Sequence, residues 1–75
     1  MAFEYPTSVG VIRLMTVGRG WAVCFVGKVR GRWRSPDAAA GAVASHHTGL
    51  PEWDEQSEVE ASEDIIDWRP LGESI

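Results

Sequence analysis

The sequence predicts an α+β fold: a three-stranded antiparallel meander packed against one α-helix, with an acidic C-terminal extension. Three observations predict it. Short runs of β-branched and aliphatic residues lie between positions 9 and 34, separated by glycine-bearing turn signals. An alanine-rich stretch follows the helix start Ser35-Pro36-Asp37. Beyond Pro51 the chain becomes acidic and poor in apolar residues. The expected organisation is a core domain over 1–51, an acidic mobile segment over 52–64, and an apolar segment over 65–75 that docks back.

Val9 to Val17 reads as the first strand, because its apolar residues show no helical period. Gly18-Arg19-Gly20 is a hairpin turn signal. Trp21 to Val26 is apolar on both faces, which suits a central strand. Gly27-Lys28 is expected to turn the chain into Val29–Arg34, where Val29, Gly31 and Trp33 alternate with Arg30, Arg32 and Arg34.

Ser35 is placed to cap a helix, Pro36 suits its first position, and Asp37 complements the positive end of the dipole. Alanines at 38, 39, 40, 42 and 44 carry the helix to His47 or Thr48 with little side-chain entropy to lose. Gly49 is expected to take the left-handed cap, with Pro51 blocking continuation. Residues 52–64 read as a mobile loop or short irregular helix. Ile65-Ile66-Asp67-Trp68 restores hydrophobicity and suits a short edge strand ended by Pro70.

The arrangement Gly20-Trp21-Ala22-Val23, Gly27, Gly31-Arg32-Trp33 and Ser35-Pro36-Asp37-Ala38-Ala39 resembles small phage and mobile-element accessory proteins. Its element order over residues 9–48 is also similar to the sheet-plus-helix DNA-binding modules of phage-type integrases and AP2 domains. That likeness implies DNA contact through the sheet. The acidic tail departs from those basic modules, so no functional residue is carried over.

Seventy-five residues suffice for one small domain, and a chain this short buries only about 60% of its unfolded surface. Its four tryptophans, each able to bury roughly 150–250 Å², can supply much of the core. Cys24 is alone, so no disulfide framework exists. The opening residues lack the basic-then-apolar pattern of a signal peptide. The longest apolar stretch, Trp21 to Val26, is too short to span a bilayer. A soluble cytoplasmic protein with no membrane contact is expected.

No motif for catalysis is present, and an enzyme is not expected. Adjacent His46 and His47 diverge by about 100° on a helix and do not share a metal. Cys24 sits in an apolar strand, where a thiol is inert. No phosphate-binding glycine pattern occurs. No cofactor or metal is expected.

Charge divides sharply. Residues 1–34 hold six Lys/Arg against Glu4 alone, a balance of +5, whereas residues 35–75 hold ten Asp/Glu against Arg69 alone, a balance of −9. Arg30, Arg32 and Arg34 are expected to form a row on one sheet face, with Lys28 beside them, offering forked donors to carboxylate or phosphate. The same row also suits a solvated edge guarded against aggregation, or a surface paired internally with the acidic segment. Trp53 and Trp68 are candidate anchors for a partner, since tryptophan is enriched at binding hot spots, or members of the domain's own core. The leading expectation is a non-enzymatic protein-interaction module, an accessory factor that modulates a host protein. A nucleic-acid-binding module using the arginines is the alternative, and a structural subunit of an oligomer is the third.

Overall fold

The computed structural model describes residues 2–71. The chain runs through β1 (Ala2–Thr7), β2 (Gly10–Val17), β3 (Gly20–Phe25) and β4 (Lys28–Trp33). It continues into helix α1 (Pro36–Ala44), the one-turn helix α2 (Pro51–Asp54), a 3-10 turn at Ile65–Asp67 and β5 (Arg69–Leu71). The fold is α+β, as expected, but the sheet has five antiparallel strands in the order β4-β3-β2-β1-β5, not three.

β1 has no counterpart in the sequence reading, and the edge strand expected over Ile65–Trp68 lies instead at Arg69–Leu71, after a 3-10 turn at Ile65–Asp67. In β1, Phe3 and Tyr5 sit opposite Leu14 and Ile12 of β2 and so share the core face with them. Pro6 is tolerated because β5 pairs only with Ala2, Phe3 and Glu4. Beyond Glu4 the outer side of β1 has no ladder bond for proline to remove. Pro70 lies inside β5, opposite Phe3, instead of ending the segment before it pairs.

One face of the sheet is covered. Ile12, Leu14, Val23 and Phe25 are buried from the sheet side, and Ala39, Ala40 and Val43 close over them from α1. Ser35 caps α1 as its residue type dictates: its Oγ accepts the Ala38 N–H at 3.1 Å. The helix is shorter than its alanines suggest and ends at Ala44. His46, not Gly49, is the first residue past the helix in the left-handed region, at φ +60°. Its ring explains this exception. It stacks on the Trp53 indole at 4.6 Å, and its two nitrogens lie 3.1 Å and 2.9 Å from the carbonyl oxygens of Trp53 and Val59.

The acidic segment is therefore tied to the core at several points. Trp53 is fully buried, and Val59 and Ala61 pack against the same cluster. Asp54 fastens the loop before α2 by accepting from the Thr48 N–H, the Thr48 hydroxyl and the Gly49 N–H. Burial opposes its charge, but those three donors outweigh burial and hold the carboxyl below its ordinary value of 3.8. Trp68 is buried in the core, and β5 pairs with β1. Residues 72–75 lie outside the described residues.

Leucine at position 40, a fully buried position of the core cluster, should overpack the interface. Ala40→Leu is expected to cost about 1–3 kcal/mol and to lower Tm in a thermal melt. A group with a depressed folded pKa stabilises above its ordinary value and loses that contribution as pH falls through the folded one. Stability should therefore decline on acidification below about pH 3.8. Asp54→Asn should flatten that acid limb in urea titrations run at successive pH values.

Candidate functional site

The sheet has two edges, and they are built differently. The β5 edge is three residues long and carries Pro70, a combination that blocks further pairing. The β4 edge is six residues long. Among the described residues no strand pairs with its outer side. Every β4 residue except Trp33 is exposed.

The turn that leads into β4 is Val26-Gly27, one residue earlier than the sequence suggests. Both residues have positive φ, +46° and +78°, the geometry of a type I′ hairpin turn. Asparagine is favoured at the first position, and a β-branched residue there is strained. Val26 is nonetheless 57% exposed, and Val29 nearby is 50% exposed. Strain and apolar exposure thus coincide at one corner of the sheet.

The strand does not alternate as its sequence implies. Phe25 lies opposite Lys28, Cys24 opposite Val29 and Val23 opposite Arg30, but Trp21 lies opposite Trp33. Two residues, Gly31 and Arg32, therefore face Ala22 alone. This is a β-bulge, with Gly31 at φ +88° where glycine is favoured. Only glycine fits there, since a Cβ would come within 2.2 Å of the Trp33 ring.

The bulge breaks up the expected arginine row. An inserted residue reverses which side chains face which way. Arg30 shares the helix-covered face with Val23, at the open rim beside α2. Arg32 lies on the opposite face, its aliphatic stem over Gly20. Arg34 lies in the bend before α1, outside the strand. The expected dry face of Val29, Gly31 and Trp33 is lost for the same reason. Val29 faces the uncovered side, with Cys24.

A groove of about 510 Å³ runs beside β4, lined by Lys28, Val29, Arg30, Leu50, Pro51 and Glu52. Lys28 donates to Glu52 Oε2 across it. That hydrogen bond first, then Glu52's own N–H and the nearby positive charges, holds the Glu52 carboxyl below its ordinary value of 4.5. Glu52 Oε1 is shut from solvent and has no hydrogen-bond partner among the described residues. Arg19, Arg30, Arg32 and Arg34 pair with no carboxylate of the described residues. Self-coverage by the acidic segment is therefore limited to Lys28.

Neither candidate tryptophan anchor reaches the surface. Trp53 donates its indole N–H to the Val43 carbonyl at 2.9 Å and meets Phe25 edge-on. Trp68 is 2% exposed, donates to the Ser62 carbonyl and packs on Tyr5. Both serve the core, where a domain this small needs every large apolar side chain it has. The residues that sequence reasoning missed are Val26, Val29 and Glu52. Apart from the glycine after Val26, nothing local in the sequence marks them.

No protein-family model, curated protein or solved structure matches this chain. No helix among the described residues is long and apolar enough to cross a membrane.

Val26→Asn should relieve the turn without touching the core. The expected gain is about 1 kcal/mol, read as a higher urea midpoint at unchanged slope.

Proposed function

We propose that this chain is a small non-enzymatic protein-interaction module that binds through its β4 edge. The observation that carries this reading is an open edge strand, exposed along its length, where unpaired arginines flank exposed valines. An interior ladder leaves no such groups free, and the other edge is blocked by Pro70. The resemblance over residues 9–48 is consistent with an accessory factor that modulates a host protein.

Nucleic-acid binding is the second reading, favoured by the four arginines without a carboxylate. Three features weigh against it. The arginines do not share a plane, Glu52 places a negative charge in the groove, and the whole chain carries −4. Generic nucleic-acid affinity rests on neutralising phosphates.

Capture from the native host with nuclease-treated and untreated lysate separates the two. The expected result is a protein retained after nuclease treatment by the parent chain and lost by the Arg30→Glu/Arg32→Glu variant. Both substitutions are at exposed positions, where stability effects stay within about 0.5 kcal/mol. Retention by the variant at parent levels would exclude the β4 edge, and loss of all retained protein on nuclease treatment would favour nucleic acid.

A further inference from the structure

Resting on the interaction reading, we infer the chemistry of the partner: an extended segment of another protein that adds to β4 as a further strand and alternates acidic with aliphatic residues. The backbone geometry comes first. Phe25 and Lys28 close the type I′ turn, so they form a hydrogen-bonded pair. Opposed pairs alternate in an antiparallel ladder, which makes Cys24–Val29 the non-bonded pair. The N–H and C=O of Val29 therefore point away from β3, into the open edge. An incoming strand has a donor and an acceptor waiting there.

The alternation of β4 before the bulge supplies the second argument. An added strand turns its successive side chains to alternate faces of the sheet. Lys28 and Arg30 lie on the helix-covered face and Val29 on the other, so a strand alternating acids with aliphatic residues sets its acids beside the cations and its aliphatic residues beside Val29. A polyanion brings no apolar side chain to Val29. The Arg30 guanidinium offers a fork of donors matched to a carboxylate. Val26 and Val29, both at least half exposed, offer apolar contact to aliphatic residues between the acids. The chain already supplies one carboxylate to this rim, since Glu52 reaches Lys28.

Charge also excludes a second copy in this place. Pairing β4 with β4 of another molecule would set Lys28, Arg30 and Arg32 against their own kind, and like charges opposite one another destabilise. The arginines that prevent self-pairing thereby select an acidic occupant.

The test uses the full chain and blocked peptides alternating Glu with Val or Ile, beside matched peptides carrying Lys in place of Glu. The acidic peptides should slow amide exchange at Val29 and lose affinity as salt is added. Arg30→Glu/Arg32→Glu should weaken binding roughly tenfold, and Glu52→Gln should strengthen it by removing a like charge from the groove. Acidic-peptide binding without protection of the Val29 amide would overturn strand addition. Equal binding of the Lys peptides, or a single-stranded oligonucleotide bound as tightly, would overturn the acidic-segment assignment. Absence of peptide binding while β4-dependent capture of a host protein persists would overturn this inference and leave the interaction reading standing.

Discussion

The Trp53 indole is where the three parts of the molecule meet, and the remaining contacts depend on its position. It lies edge-on to Phe25 of the sheet, donates to Val43 at the end of α1, and carries the His46 ring on its other side. Removing a buried tryptophan side chain costs about 3–5 kcal/mol. A domain of this kind is stable by only about 5–15 kcal/mol in total. One ring thus accounts for a large share of what holds helix, sheet and acidic segment together. It also determines the fate of the acidic segment, which passes through the core at Trp53 before running over the surface. Glu52, the residue before it, is delivered to the β4 rim as a consequence.

The legible parts of the fold were those governed by local chemistry. Ser35, Pro36 and Asp37 begin a helix because a cap, a fixed φ and a dipole all act within one turn. The central hairpin could be read from Gly18-Arg19 between two apolar runs. What stayed hidden depended on distant partners. Pro6 and Pro70 argue against strands locally and are harmless only because β1 and β5 overlap for three residues. His46 takes a left-handed conformation because two carbonyls and an indole from later in the chain hold its ring. Trp53 is core despite its acidic neighbours, since its face is chosen by Phe25 and Val43 and not by its own segment.

The candidate site failed in the sequence for a different reason. Alternation with period two assumes that every residue of a strand has one partner, and Gly31 breaks that assumption. Its left-handed conformation puts two residues opposite Ala22, so a glycine that reads as a small dry-face residue reverses the strand beyond it. The cations themselves are legible in the sequence, but their arrangement on the strand is not. Periodicity alone does not reveal a bulge, and the packing of the Trp33 ring over Gly31 is visible only in three dimensions.

The division of charge gains a physical meaning from this arrangement. If mutual attraction of the halves explained it, the fold would consume the positive charges of residues 1–34 in pairs with the acidic half. Among the described residues it consumes only Lys28, through Glu52. Arg13 pairs with Glu4 of its own half, and the one pairing of the reverse sense joins Arg69 to Glu4. Exposed pairs of this kind contribute only about 0–1 kcal/mol each. Among the described residues, folding therefore leaves Arg19, Arg30, Arg32 and Arg34 without carboxylate partners, three of them on or just beyond β4, the longer of the sheet's two edge strands. An edge that needed only protection from aggregation would be served by lysine, bulge and polar side chains. Val26, held in a strained turn where asparagine would be more stable, adds apolar surface to that edge instead of removing it. Protection alone does not account for that choice, whereas the proposed docking of another chain on this edge would.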